Sequence, residues 1–356
     1  MRIHSEDGTV DLAAFEALAD EGYLRRQRHP TEDLWIWNYT QHAQFEGHWT
    51  RETLMARGLI TDSIGRIVAR PFEKFFNWEE HRGPLPAGAY EVWEKVDGSL
   101  GILYWVGGEP CIATRGSFAS EQALVATEMV RGKYREHLDG LDPQFTHLFE
   151  IIYPENRIVV DYGGKCQLVY LGARHTAEGW DISPVTGSWP HQPEFFSTLE
   201  SVQNPLDLKM LEQPNREGFV LRFLGTGLRL KLKFDEYVRL HKIMTGWSAK
   251  DVWEAMGMGS RPAVCRLMDR VPDEFYAEVR KVMEDLEERA AAIEAQCLED
   301  FRGIPLGDRR DAARYITTRD NPHVLFAMLD GKDYKQKIWA LVKPSGVRAL
   351  WRGDER

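Results

Sequence analysis

The chain has 356 residues, 43% of them hydrophobic and 28% charged, with a formal net charge of −10, a length that accommodates one large core and a smaller second one. The negative balance excludes a general nucleic-acid-coating role, which rests on many Lys and Arg side chains neutralising phosphates. Residues 1–244 hold 26 Lys+Arg against 35 Asp+Glu and residues 245–356 hold 19 against 20, so a nucleic-acid partner has to be gripped by a few local contacts.

No run approaches the roughly eighteen apolar residues of a membrane span, and the stretch from Met1 to Asp7 lacks the apolar centre of a signal peptide. Cys111, Cys166, Cys265 and Cys297 lie far apart with no Cys-x-x-Cys pair. These features lead us to expect a cytoplasmic protein with reduced, structural cysteines, and neither a zinc site, a disulfide framework nor a membrane partner.

In chain order, short β-branched or aromatic runs bounded by Gly, Pro and Asn predict strands over Ile64–Arg70, Tyr90–Lys95, Leu100–Trp105, Leu148–Tyr153, Arg157–Tyr162, Gln167–Leu171, Gly218–Leu224 and Leu228–Phe234. A helix interrupts them, N-capped by Ser120 and continuing to about His137. Strands and helices do not alternate as in a doubly wound sheet, so the expected class is α+β. After about Thr245 the pattern turns helical. From Pro272 to about Asp300, the residues Phe275, Val279, Val282, Leu286, Ala290, Ile293 and Cys297 recur every three or four positions, with Pro272 suited to the first turn. Val324–Leu329 and Ile338–Val342 read as two shorter helices separated by Asp330-Gly331-Lys332-Asp333. Two domains are expected, a β-rich one over 1–244 and an all-α one over 245–356.

The stretch Lys95-Val96-Asp97-Gly98-Ser99 sets a lysine, a carboxylate and a glycine turn side by side. Between two β-rich runs, its Asp-Gly pair by itself predicts only a hairpin turn. A lysine nucleophile has to be neutral when it attacks, which calls for burial or neighbouring cations, and Arg57, Lys74, Lys231 and Lys233 are the cations available in strand or turn contexts. Lys231 and Lys233 alternate with Leu230, Leu232 and Phe234, so both lysines project from one face of a strand. Any half-exposed strand alternates in that way too. The run before it starts at Glu217 and turns through Gly225-Thr226-Gly227, a hairpin that sets a carboxylate at one end and the two lysines on the partner strand. Glu150, inside Leu148-Phe149-Glu150-Ile151-Ile152-Tyr153, is costly in so apolar a run unless it meets a cation, a hydroxyl or a metal. Two carboxylates and several cations around one lysine fit a nucleoside triphosphate pocket.

In order, Lys95 to Ser99, Phe149-Glu150-Ile151, Glu217-Gly218-Phe219-Val220 and Leu230-Lys231-Leu232-Lys233 resemble the nucleotidyltransferase motifs of the covalent ligase and capping-enzyme superfamily. Finer features resemble its phage T4 RNA ligase 1 branch: Ala56-Arg57-Gly58, Arg70-Pro71-Phe72-Glu73-Lys74-Phe75-Phe76-Asn77, Arg115-Gly116-Ser117, Ser120-Glu121-Gln122-Ala123, Pro154-Glu155-Asn156-Arg157-Ile158-Val159 and Tyr237-Val238-Arg239-Leu240-His241. The resemblance covers about residues 35 to 242. It implies a ligase-type nucleotidyltransferase domain in which Lys95 attacks the α-phosphate of ATP to form lysyl-AMP.

By the same resemblance, Lys231 and Lys233 bind the α-phosphate, and Arg57 and Lys74 contact the triphosphate with Phe76 packed close by. Asp97, Gly98 and Arg115 border the nucleotide, and Glu150 and Glu217 hold the ribose or a divalent Mg²⁺ or Mn²⁺ ion. The family often has lysine where Arg115 stands, which keeps the charge but changes its geometry. The implied function is ATP-dependent sealing of 5′-phosphate and 3′-hydroxyl RNA ends in RNA or tRNA repair, on single-stranded ends or a nicked tRNA loop, with an RNA end-healing kinase-phosphatase as a partner. Two other readings remain open from the sequence: an RNA-end adenylating or capping enzyme that does not seal, and an RNA-binding adaptor that has lost the chemistry. A helical continuation, where DNA ligases and capping enzymes carry an all-β OB domain, favours the RNA ligase branch.

Overall fold

A computed structural model describes residues 8–183, 189–199, 205–245, 248–257, 276–305 and 307–344. The class is α+β, as expected, and the chain divides into two units, residues 1–244 and 245–356. Three antiparallel-rich sheets build the first unit. The first sheet runs in sequence order through β1 (Leu24–Arg28), β2 (Leu34–Tyr39), β3 (Arg57–Asp62) and β4 (Ile67–Ala69). A third sheet takes β5 (Phe76–Asn77), β6 (Tyr90–Lys95), β12 (Phe195–Leu199), β13 (Gly218–Phe223) and β14 (Arg229–Lys233) in the order β12-β6-β13-β14-β5. Between them in the chain, β7 (Ser99–Val106), β8 (Glu109–Ala113), β9 (Phe145–Ile152), β10 (Gln167–His175) and β11 (Asp181–Ile182) form the second sheet, ordered β11-β10-β9-β7-β8.

Helices α1 (Leu12–Asp20), α2 (Gln41–Glu46) and α3 (Arg51–Met55) accompany the first sheet, and α4 (Glu121–Arg131) follows β8. Ser120 caps α4 by accepting from the Ala123 amide, as its sequence predicts. This α-helix stops at Arg131 rather than near His137, because Gly132 intervenes and residues 135–140 continue only as a 3₁₀ turn. Ala126 and Val130 of α4 pack with Tyr134 against Leu103, Ile112, Phe149, Leu168 and Tyr170 on one face of the second sheet. On its other face Ile102, Tyr104, Ala113 and Leu148 meet Ile36, Ile60 and Ala69 of the first sheet. Leu230 and Leu232 are fully buried with Val92, Phe219 and Leu221, each burial stabilising by about 1.5–3 kcal/mol.

One expected strand is absent, and the Asp-Gly pair does not form the hairpin turn that its local pattern alone allows. Lys95 to Ser99 is no hairpin turn: β6 lies in the third sheet and β7 in the second, so the motif is a crossing between sheets. Lys95 pairs with Gly218 on one side, and Ser99 pairs with Ile151 on the other. Gly98 fits the crossing because a Cβ there would stand 2.7 Å from the Ile151 carbonyl oxygen and 3.0 Å from Glu150 Cγ. Residues 157–162, expected as a strand, form an irregular segment instead. The Val159 and Val160 amides donate to Asp97 Oδ2, both at 2.9 Å, which takes those donors out of any sheet ladder.

The second unit holds α6 (Ala249–Gly257), α7 (Tyr276–Arg302), α8 (Arg309–Thr317), α9 (Pro322–Leu329) and α10 (Lys335–Leu341), after α5 (Asp235–Thr245) leaves the last strand. Cys297, Ile316, Val324, Leu325 and Ile338 share its core. The expected first turn of the long helix, with Pro272 and Phe275, lies outside the described residues, as does Cys265.

Gly218 joins the buried Glu217 to β13 at φ +145°, where an added Cβ would run into the Leu232 carbonyl oxygen. Gly218→Ala therefore strains the backbone and pushes β14 away. We expect a loss of at least ~2 kcal/mol, read as a lowered urea midpoint; an unchanged midpoint would show that the strand pair tolerates the shift.

Candidate active site

Register brings the chemistry-bearing residues together. Lys95 ends β6 and Gly218 begins β13, which sets Glu217 beside Lys95; Gly218 also pairs with Lys233, which closes the group from the other side. The Lys95 ammonium donates to Glu217 Oε2 and the Lys233 ammonium to Glu217 Oε1, each at 2.8 Å. Both oxygens of this carboxylate, 2% exposed, thus carry a lysine. Burial alone would raise its pKa, but Lys233 and Lys95 outweigh it and hold Glu217 below the usual carboxylate range.

A ladder of rings spaces the remaining cations. Phe75 lies under both Arg57 (5.3 Å) and Lys231 (5.3 Å). Tyr39 carries Lys74 (5.5 Å) and Arg115 (5.2 Å), and its hydroxyl accepts from Arg115 at 3.0 Å. Lys74 also sits over Trp49 and Phe76, and Lys233 over Tyr237. Each ring face offers a cation partial negative charge and excludes water at the same time, which lets like charges gather in a small volume. Of the aromatic partners, the sequence reading placed only Phe76 in the site; Tyr39, Trp49, Phe75 and Tyr237 were missed as ring partners, although Phe75 and Tyr237 stand inside the segments that carried the resemblance.

Asp97 is placed differently from its neighbours. Beyond the two valine amides, Asp97 Oδ1 accepts from the Tyr237 hydroxyl at 2.8 Å, and the Asp97 amide donates to the Tyr162 hydroxyl at 2.8 Å. Burial raises its pKa and Glu217 adds to the rise, against the Val160 and Val159 amides. Its carboxylate is thus committed to holding the 157–162 segment and α5 in place. Ser99 Oγ donates to Asn156 Oδ1 at 3.0 Å, and Asn156 Nδ2 donates to the Ile151 carbonyl at 2.9 Å, fastening the far end of the same segment.

Glu150, half-buried on β9 opposite Leu100, is the carboxylate that no lysine saturates in this way. Burial pushes it up to about 7, with Lys95 and Arg57 pulling down and Glu217 and Asp97 pushing up. Asn38 Oδ1 and Asn77 Oδ1 are buried acceptors without a hydrogen-bond donor; Asn38 pairs in register with Arg57 and Asn77 with Lys231. Clustered cations bordered by orphaned acceptors suit a ligand that is polyanionic at one end and carries hydroxyl or amino donors at the other. No group of three or more His, Cys, Asp or Glu side chains among the described residues forms a metal cage. A magnesium-type ion that takes most of its ligands from phosphates and water needs only one such carboxylate, and Glu150 fits that requirement better than Glu217.

An RNA ligase family profile of the T4 RNA ligase 1 type matches residues 55–238, just over half of the chain. The chain belongs to this family. It is 28% identical over 254 residues to a candidate bifunctional polynucleotide kinase/RNA ligase of Autographa californica nuclear polyhedrosis virus, which covers 63% of this chain and 36% of that protein. It is 27% identical over 291 residues to an RNA ligase of Rhodothermus phage RM378, covering 69% and 62% respectively. The match thus spans between about a third and two thirds of the length of these relatives. An archaeal ATP-dependent RNA ligase structure aligns over 91% of this chain and 96% of its own, at 15% identity and a TM-score of 0.48. No helix among the described residues is long and apolar enough to cross a membrane.

Ionisation of Glu150 gives a pH signature. An unperturbed glutamate titrates at 4.5 and the folded one at about 7, so the native state binds this proton more tightly. The resulting stability is complete below pH 4.5 and is lost as pH rises through 7. Glu150→Gln, neutral throughout, should match wild type near pH 4.5 and become the more stable of the two above pH 7, by at most ~3 kcal/mol at about 1.36 kcal/mol per pKa unit. Denaturant midpoints across that range measure it; parallel curves would place this carboxylate in water.

Proposed function

We propose that this protein is an ATP-dependent RNA ligase that joins 5′-phosphate and 3′-hydroxyl RNA ends in cytoplasmic RNA or tRNA repair. The observation that carries the reading is the shared Glu217, which aligns Lys95 and Lys233 on the two strands that flank β13, inside a cluster of cations. In the resting chain the Lys95 ammonium donates to Glu217. To react, Nζ loses a proton to solvent and its lone pair attacks the ATP α-phosphorus; the bond from that phosphorus to the α,β-bridging oxygen breaks, and pyrophosphate leaves with that oxygen as a P–N bond forms.

Lys231 and Lys233 neutralise charge developing on the α-phosphate, while Arg57, Lys74 and Arg115 receive the β- and γ-phosphate oxygens of the leaving pyrophosphate. A divalent ion such as Mg²⁺ or Mn²⁺ held by Glu150 would supply further charge neutralisation at the phosphates. Glu217 serves by positioning the two lysines, and Asp97 with Gly98 by fixing the crossing that presents Lys95. An RNA 5′-phosphate oxygen then attacks the same phosphorus and displaces the Lys95 amine, giving an adenylated end. Finally the 3′-hydroxyl attacks the RNA 5′-phosphorus, AMP leaves, and the strand is sealed.

A 5′-phosphate must be supplied beforehand. The viral relative described as a candidate kinase/ligase supports an end-healing kinase-phosphatase as partner. We assign adenylyl transfer to residues 1–244 and a share of RNA choice to residues 245–356.

Labelled ATP followed by a 5′-phosphorylated single-stranded RNA tests this reading. The protein should acquire label and then yield joined or circular RNA; label without joining would favour the end-capping alternative. Lys95→Ala and Lys95→Arg should both abolish labelling, since a guanidinium stays protonated. Lys231→Ala or Lys233→Ala should slow it by about a hundredfold or more. Normal labelling of Lys95→Ala would overturn the nucleophile assignment.

A second comparison concerns the helical unit. A fragment ending at Met244 should still label on Lys95 but lose most sealing of a nicked tRNA loop. Equal loss of both steps would mean that residues 245–356 chiefly stabilise the first unit.

A further inference from the structure

This acidic chain concentrates arginine on one strand. In β1, Leu24-Arg25-Arg26-Gln27-Arg28, every residue after Leu24 is exposed. β1 is the edge strand of the first sheet, paired only with β2, and lies outside residues 55–238 matched to the family. Trp35 of β2 stands opposite Arg28 and lies under both Arg26 (4.7 Å) and Arg28 (5.9 Å). This ring holds two long, flexible cations in extended poses. Arg26 also pairs with Glu16 at 2.8 Å; among the described residues no carboxylate lies within ion-pair distance of Arg25 or Arg28.

Arg25 points to the other side of β1, toward the reaction centre. Its guanidinium lies 3.2 Å from where a Cβ on Gly116 would stand, so the absence of a side chain at Gly116 makes room for it. Next to Gly116, Arg115 donates to Tyr39, whose ring also carries Lys74. Arg25 therefore lengthens the line of cations that starts at Lys231, while Arg28, ~10 Å further along the strand at ~3.3 Å per residue, stands with Arg26 on the opposite face, so that the two arginines flank the open edge of β1 from either side.

We propose that β1 is the track for the RNA backbone, with Arg25 and Arg28 each taking one phosphate of the single strand whose 5′ end enters the site. The inference rests on the RNA ligase reading for the identity of the strand. Charge complementarity supports it: with a net charge of −10, the protein depends on local phosphate contacts, and exposed arginines without an acidic partner suit that use best. Arginine offers a planar fork to phosphate oxygens, and its plane stacks on a base as readily as on Trp35.

The test uses the full chain with Arg25→Ala, Arg28→Ala, both together, and the double Arg→Lys variant. Two quantities are measured: affinity for a 5′-phosphorylated single-stranded RNA by fluorescence anisotropy between 50 and 200 mM salt, and labelling by ATP in the absence of RNA. Each alanine should flatten the slope of log affinity against log salt by about 0.7, and the pair by about twice that. Labelling should stay within about twofold of wild type, and the lysine double variant should recover most of the salt slope.

An unchanged affinity and slope, with the alanine variants aggregating, would mean that the arginines only guard an open strand edge and would overturn the proposal. A fall in labelling parallel to the fall in RNA affinity would also overturn it, since β1 would then serve ATP or the fold. A wild-type chain that binds RNA through β1 yet never labels with ATP would overturn the ligase reading and leave the track standing.

Discussion

One buried carboxylate with a lysine on each oxygen organises the polar centre of the first unit. Glu217 takes its charge partners from two strands that are not adjacent in sequence, Lys95 of β6 and Lys233 of β14, and it can do so because β13 lies between them in the sheet. Removing one partner from such a buried group leaves uncompensated charge, typically at ~3–5 kcal/mol. The order of strands in the third sheet is therefore tied to the chemistry. Were β6 and β14 neighbours, Glu217 would have no place from which to reach both ammonium groups.

Several cations gather beside that group, and aromatic rings lie under them. Phe75 separates Arg57 from Lys231, and Tyr39 separates Lys74 from Arg115. Aromatic faces stabilise each cation modestly and exclude water beside it. The same device recurs at Trp35 under Arg26 and Arg28, on a strand outside the family match.

Asp97 illustrates how a motif residue can act through the backbone. Three donors, the amides of Val159 and Val160 and the Tyr237 hydroxyl, converge on its carboxylate. It thereby ties the sheet crossing to the 157–162 segment and to α5. The crossing in turn places Lys95 on the third sheet and Glu150 on the second, on opposite sides of one space. A hairpin at Asp97-Gly98 would have put both β6 and β7 in one sheet and left Glu150 without its lysine.

The sequence by itself determined the α+β class, most strands of the second and third sheets, the N-cap at Ser120 and the face on which Lys231 and Lys233 stand. Each of these depends on neighbours a few residues away: alternation exposes Lys231 and Lys233 on one face and buries Leu230 and Leu232 on the other, whatever the rest of the chain does. Short elements of the first sheet, β1 and β2 and helices α1 to α3, went unnoticed because their patterns are brief or broken. Arg25 to Arg28 reads as a polar run until Trp35 is seen beneath it.

Only the tertiary structure decided which partner each polar group takes. That Asp-Gly crosses between sheets, that residues 157–162 give up a strand to serve Asp97, that Glu217 is saturated while Glu150 is held near neutrality by burial, and that Tyr39 and Phe75 space the cations are all outcomes of contacts across tens of residues or more. Local pattern fixes which face a side chain occupies; pairing energies between buried groups depend on distances that only the packed sheets set.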